Sequence, residues 1–431
     1  MLGLAASLAK GGASLLTYVK DNLKLYLDFK KSRSDELKFV SEGSTDFELD
    51  STQYIKISHS TELSLGTDPH TIACWAKFES LANYRTLISK RGTGTDYNLS
   101  VGSNGEIYTY NGSATAQSAN SVISTGTWYH IALVYNGSAY VLYVDGVVKS
   151  WSSGTTTSGS ANTDPLYIGW SSNGSEYMDG KMANVGIWSR ELSLEEVNSV
   201  MNKNYSQLGS VEKTSLVMWQ SLDSASNGVV QPATGEVLGN EEITKSVTDS
   251  WTGSDVSVNE ASSEQAYSGT QSLKFTTGTG AGAKGVTSNT FTSVQNALYK
   301  IDFWVYSPSS EDIEVYAAQG GGAGNSFSEN ITIATNQWVN VVKYYYEVAG
   351  GASSSLKFAN NSNSVTAYVD NISLKKVTSN TGIVTGATTT TSVYGGHAPV
   401  LPRAIDIAES QAEQIGNGSA RFNTVNINGT D

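Results

Sequence analysis

Few residues in this chain have the type and spacing for chemistry. The stretch "TWYHIALVYNGSAYVLYVDGVV", residues 127–148, sets His130 and Asp145 in an apolar run. A histidine can serve as general base or metal ligand when a nucleophile or carboxylate stands beside it. No Ser, Cys or acidic residue neighbours His130 in sequence, so the expectation is a structural histidine with one hydrogen bond. Cys74, the single cysteine, lies in "TIACWAKF" and reads as packing, with no intrachain disulfide available. Trp151 in "KSWSSG", and Trp170 and Tyr177 in "GWSSNGSEYMDG", fall in turn-rich segments where their rings could stack on sugar faces. Asn173, Glu176 and Asp179 in the second of these segments could offer oxygen ligands to calcium, although their spacing matches no strong metal motif. "GGGAG" lacks the Lys-Ser of a phosphate-binding loop and reads as a flexible turn.

The elements that must position these residues are strands. Short apolar or alternating runs follow one another from residue 22 to about 205, among them "QYIKIS", "HTIACWAKF", "RTLISK", "YNLSVG", "WYHIALVY", "AYVLYVDGVV" and "MANVGIW". Gly- and Asn-rich turns separate them, which predicts a two-sheet sandwich. Asn-Gly and Asp-Gly pairs mark hairpins, and the several N-x-S/T triplets read as turn chemistry before glycosylation. In the hairpin, alternation puts Tyr129, Ile131, Leu133 and Tyr135 on one face and His130, Ala132 and Val134 on the other. Both faces are apolar, as a strand covered on each side requires. "SRELSLEEV" predicts one short helix, capped by Ser193 with Glu196 three residues on. A second strand-rich block runs over residues 251–377, and a Thr- and Ser-rich linker with a tail follows, holding a possible helix at 404–415. The expected division is an arm at 1–21, a sandwich at 22–207, a connector at 208–250, a second sandwich at 251–377, and a linker and tail at 378–431.

Composition narrows the function classes. The 431 residues carry 27 Lys and Arg against 40 Asp and Glu, a formal charge of −13, which argues against a nucleic-acid partner. No apolar stretch approaches the roughly 20 residues of a membrane span. The opening "MLGLAASLAKGG" has no basic residue ahead of its apolar part and is read as a docking arm, not a cleaved signal. Two echoes occur: "NLKLYLDF" with "SLVMWQSL", and "EGSTDFELDSTQYI" with "GNGSARFNTVNI". They suggest that the tail opens another sandwich edge, one that pairs with a second chain.

In order, "FELDSTQYIKI", "HTIACWAKF", the hairpin, "LYIG" and "MDGKMANVGIWSRELSLEEV" resemble the laminin G-like, concanavalin A-like jelly roll. The second block, with "AYSGTQSLKF", "LYKIDFWVYS", "NQWVNVVKYYY" and "AYVDNISLKKV", resembles galactose-binding-like carbohydrate-binding modules. That likeness implies a structural calcium held by Asp370 in the closing strand, with Glu241 or Glu242 as acidic partner. Glucanases share the first fold, and the resemblance implies a Glu-x-Asp-x-x-Glu strand. Here Glu48 and Asp50 match, but Gln53 stands where the second Glu is needed, so hydrolysis lacks its carboxylate pair.

The arm, with its "MLGL" opening, and the "YGGHAPVLPRAIDIAES" tail resemble parts of marine bacteriophage structural proteins. The expectation is therefore an all-β, non-enzymatic virion protein with two antiparallel jelly-roll sandwiches. It would be assembled in the host cytoplasm and displayed on the virion surface as a capsid decoration or tail fibre. The arm and tail would contact other virion proteins, the chain would form a homo-oligomer such as a trimer, and the sandwiches would meet a cell-surface glycan. A bacterial extracellular adhesin, or less readily a glycoside hydrolase with a binding module, is the alternative.

Overall fold

Alternating and wholly apolar runs become strands throughout residues 43–390, which the computed structural model describes apart from 50, 51, 155, 173, 175, 227, 310 and 319–324. The arm, the "NLKLYLDF" segment and the helix expected at 404–415 lie outside the described residues. The fold is all-β, built as two sandwiches of antiparallel sheets within one compact unit.

The first sandwich pairs an eight-stranded sheet with a nine-stranded one. The first runs Val147–Lys149, Tyr140–Val144, Trp128–Tyr135, His70–Phe78, Gly180–Trp188, Ser44–Phe47 and Thr388–Thr390, with Leu216–Gln220 also on Gly180–Trp188. The second runs Trp151–Gly154, Thr115–Ser118, Ile107–Tyr110, Thr95–Val101, Arg85–Arg91, Leu166–Ile168, Tyr54–Ile57, Gly382–Thr385 and Val229–Val230. Ile72, Cys74, Ile131 and Leu133 from one sheet meet Ile88, Leu99 and Ile107 from the other in a core without exposed surface. Burial pushes the Cys74 thiol up to about 12, so it is an inert packing group.

The hairpin is covered on both faces. Ala132 and Val134 lie on the outer side, where Val197 and Val200 of the helix Leu194–Val200 pack with Trp188 and Trp219. Burying those two valines contributes about 2 kcal/mol each. The helix starts where the sequence places it, because Ser193 and Glu196 form a reciprocal capping box. Asp145 and Gly146 both have positive φ, as the tight turn between Tyr140–Val144 and Val147–Lys149 requires. Asp145 Oδ1 also accepts the His130 N–H at 2.9 Å. The His130 ring differs from expectation. Its Nδ1 is buried without a hydrogen-bond partner among the described residues, and the ring packs edge-on against Trp75 at 5.5 Å.

The connector and linker expected at 208–250 and from 378 turn out to contain strands of the first sandwich. Leu216–Gln220 and Val229–Val230 come from the one, Gly382–Thr385 and Thr388–Thr390 from the other. Without them Tyr54–Ile57 and Gly180–Trp188 would expose backbone along an apolar edge. The second sandwich is thus inserted into the first. One of its six-stranded sheets runs Val256–Ser262, Ser272–Thr277, Thr366–Val377, Leu298–Tyr306 and Trp338–Tyr346, with Leu238–Glu241 beside Thr366–Val377. The other runs Thr252–Ser254, Lys284–Thr287, Gly351–Asn360, Ile313–Ala318 and Asn325–Ile331, with Phe291–Ser293 beside Gly351–Asn360. Phe275, Phe303 and Val305 meet Val315, Leu356 and Phe358 between them.

Burial lowers the His130 pKa to about 3. Below an unfolded value near 6.5 the unfolded chain gains a proton that the native chain refuses, so stability falls with pH until about pH 3. Replacing His130 by Phe is expected to remove roughly 2–3 kcal/mol of the stability lost between about pH 6.5 and about pH 4.5. Urea titrations of both chains across that range check it.

Candidate functional site

Strand alternation in the second sandwich builds an aromatic surface. Along Leu298–Tyr306 the residues alternate between buried and half-buried, so Phe303 and Val305 enter the core while Trp304 and Tyr306 face outward. The register sets Tyr306 opposite Trp338 on one side and Tyr368 on the other. Tyr368 is opposite Lys274, and Lys274 is opposite Glu260. One row therefore crosses five strands as Trp338, Tyr306, Tyr368, Lys274 and Glu260, a span of roughly 19 Å at strand spacing.

Trp304 lies one pleat away from that row. Tyr267, 42% exposed, stacks on it with centroids 3.6 Å apart and stands edge-on to Trp338 at 5.9 Å. Tyr306 lies 5.6 Å from Trp338 and 5.7 Å from Tyr368. Polar groups frame the rings. Asn340 Nδ2 donates to Asp302 Oδ1 at 2.9 Å, and the Tyr306 hydroxyl donates to Asn336 Oδ1 at 3.0 Å. Lys274 Nζ and the Tyr368 hydroxyl donate to Glu264 at 2.7 and 2.6 Å, and these bonds hold its carboxyl below the usual range. The surface offers apolar ring faces beside hydrogen-bonding groups that are already oriented.

The sequence-derived sugar platforms are placed differently. Trp151 packs on the first core and donates its Nε1–H to Tyr140 O at 2.8 Å. Trp170 stacks on Tyr54 at 5.0 Å and on Tyr177 at 5.6 Å, with Tyr167 edge-on at 4.8 Å. Its Nε1–H is taken by Gly174 O at 3.0 Å. Protein rings thus already stack on Trp170. Trp151, Trp170 and Tyr177 are half-buried, as Trp304, Tyr306 and Trp338 are, and the alternation in "IDFWVY" is the signal that marks the second set.

Of the described calcium candidates in the first sandwich, Glu176 and Asp179 belong to different groupings. Asn173 lies outside the described residues. Glu176 is 4.0 Å from Arg91. Asp179 instead joins Glu48 and Glu79, with carboxylate oxygens within 4.8 Å of one another. The register explains this: Phe47, Gly180 and Phe78 are paired across three neighbouring strands, and the three acids stand just beyond those strand ends. The Asp179 carboxylate accepts from the Ser80 hydroxyl, and Lys181 lies 3.9 Å from Glu79. Desolvation, then repulsion from Asp46, Glu79 and Asp179, raises the Glu48 pKa. Gln53 Oε1 accepts the Glu48 N–H at 2.7 Å, a framework role where a second carboxylate would be needed for hydrolysis.

Glu241 meets the closing strand a few residues beyond Asp370. Glu241 is in register with Lys375 and accepts from Ser373 Oγ at 2.8 Å and from the Leu374 N–H. Glu242 N–H donates to Leu374 O, which fixes its backbone beside the same strand. Asp370, only 3% exposed, accepts the N–H groups of Tyr267, Ser268 and Asn371 at 2.9, 3.0 and 2.7 Å. Lys245 lines the cavity of about 360 Å³ beside it. These three N–H bonds let the Asp370 carboxylate tie down the 267–268 turn.

Residues 49–198 match a laminin G-like family described as the concanavalin A-like lectin/glucanases superfamily. No curated protein matches the chain. Among solved structures, a candidate carbohydrate-binding protein from Bacteroides ovatus is 20% identical over 46% of this chain, with a TM-score of 0.37. This chain covers 57% of that protein's length. A xylan-binding domain from Paenibacillus barcinonensis is 18% identical over 33% of this chain and 96% of its own, with a TM-score of 0.23. A pentraxin from Limulus polyphemus is 15% identical over 40% of this chain and 88% of its own, with a TM-score of 0.29.

Because Asp370 ties a turn, Asp370→Ala is expected to cost about 2–3 kcal/mol by leaving backbone donors unsatisfied. Calorimetry of both chains checks the outcome.

Proposed function

We propose that this chain is a glycan-binding protein and that it binds on the outer face of the second sandwich. The observation that carries the reading is the crossing row of Trp338, Tyr306 and Tyr368 beside the Tyr267–Trp304 stack. Sugar rings present C–H faces that stack on aromatic rings, while their hydroxyls exchange hydrogen bonds with side chains such as Asp302, Asn340, Lys274 and Glu264. Because the rings are fixed by one another and by the sheet, little side-chain entropy is lost on binding. The half-buried rings of Trp338 and Tyr306, with Lys274 beyond the buried Tyr368, suit a sugar chain lying across the strands. The match of residues 49–198 to a lectin and glucanase superfamily is compatible with the same ligand class.

The proposed activity is binding without hydrolysis. Its support is the framework role of Gln53 beside Glu48. For the setting, we infer display on the surface of a phage particle, assembled in the host cytoplasm. The support is the resemblance of the arm, residues 1–21, and of the "YGGHAPVLPRAIDIAES" tail at 394–410, which would contact other virion subunits in a trimer or similar homo-oligomer.

A glycan array followed by titration calorimetry on the full chain tests the binding. Trp304→Ala and Trp338→Ala are each expected to weaken binding about ten-fold or more, on the order of 1.4 kcal/mol. Trp170→Phe is expected to bind as the parent does, and no glycan is expected to release reducing ends. Binding that survives both tryptophan substitutions would refute this placement of the site.

A further inference from the structure

The first sandwich holds a buried amine against a carboxamide. Lys90 has no exposed surface, and its Nζ faces four acceptors. They are Asn162 O at 3.0 Å, Asn162 Oδ1 at 3.1 Å, His59 Nδ1 at 3.3 Å and Asp164 O. An ammonium has three hydrogens to give, so four acceptors cannot all be served at once. The Asn162 side chain is gripped at both ends. Its Oδ1 accepts the Asp164 N–H at 3.0 Å, and its Nδ2 donates to Lys90 O at 3.3 Å. Asp96, without exposed surface, accepts the Gly66 N–H at 2.7 Å, and Ser64 Oγ lies between its Oδ2 at 3.2 Å and Asn162 O at 2.9 Å.

These groups have the roles of an acyl-transfer site: a nucleophile, a base touching it, and a donor on the oxygen that gains charge. We propose that Lys90 and Asn162 react with each other to form an amide cross-link between Lys90 Nζ and Asn162 Cγ. The neutral amine adds to Cγ and passes a proton to Nδ1 of His59. Charge gathers on Oδ1, which the Asp164 N–H stabilises. The proton is delivered to Nδ2, the Cγ–Nδ2 bond breaks and ammonia leaves. One primary amine and one primary amide become one secondary amide and one ammonia, with no oxidant and no other reactant. Holding the two groups in contact replaces a slow bimolecular aminolysis by an intramolecular one. Burial, opposed by Asp96 and Asp164, pushes the Lys90 pKa down to about 8, which leaves part of the amine neutral near neutral pH. The bond would tie Arg85–Arg91 to the segment that leads into its neighbour Leu166–Ile168.

Intact-mass spectrometry of the denatured full chain tests this directly. The expected mass is lower than the sequence mass by one ammonia, and digestion is expected to yield one branched peptide containing both Lys90 and Asn162. Lys90→Arg and Asn162→Ala are each expected to show their full sequence mass, and His59→Gln a mixture that converts slowly. A parent chain at its full sequence mass overturns the proposal. So does an ammonia loss that persists in Lys90→Arg, which would come from asparagine cyclisation.

Discussion

The joining of the two sandwiches depends on the backbone pairing of one short strand, Gly382–Thr385. It hydrogen-bonds to Tyr54–Ile57 on one side and to Val229–Val230 on the other. Those two flanking strands belong to the start of the first sandwich and to the exit toward the second. The chain therefore leaves and re-enters through adjacent strands. A side chain at Gly382 would meet Ile55 Cγ2 at 2.4 Å, so only glycine lets the returning strand close on the core. Side chains reinforce the closure. Gln220 Nε2 donates to Asn380 O at 2.6 Å, Asn380 Nδ2 donates to Val217 O at 2.9 Å, and Ser58 Oγ donates to Asn296 O at 3.0 Å. Lys56 lies over the ring of Tyr346, whose hydroxyl donates to Lys56 O. Two connections plus these contacts hold the inserted sandwich more firmly than a single linker would.

Much of the architecture was legible because strand periodicity and turn chemistry are local. The two-faced hairpin, the Asp145–Gly146 turn and the Ser193–Glu196 box all rest on residues within a few positions of one another. The insertion was not legible, for a physical reason. Val229–Val230 and Gly382–Thr385 are too short to show a period, and what makes them strands is an unpaired edge supplied by residues far away in sequence. The "NLKLYLDF" and "SLVMWQSL" echo was a partial clue, since the second of these does become a strand of the first sandwich.

The sites divide along the same line. The acidic grouping of Glu48, Glu79 and Asp179 exists only because three strand ends come into register, so Glu79 carried no signal by itself. Glu241 and Asp370 looked like partners because the module resemblance pairs an acid near the block's start with an Asp in its last strand. Their registers separate them along one strand. The aromatic face was visible in principle, because alternation in "DFWVY" sends every second ring outward.

Burial also distinguishes the two sandwiches. In the first, Arg85–Arg91 and Thr95–Val101 are buried almost throughout, so polar residues on them have no water to turn to. Lys90, Asp96 and their neighbours must satisfy one another, and that enforced contact brings an amine against an amide. In the second, Leu298–Tyr306 keeps one face half-open, so large rings can stay there without needing a core. Groups shut away from solvent are left to react or bond internally, whereas groups held rigid but accessible can bind. Cover on both faces therefore sets the place of the proposed cross-link in one sandwich, and a half-open face that of the proposed glycan surface in the other.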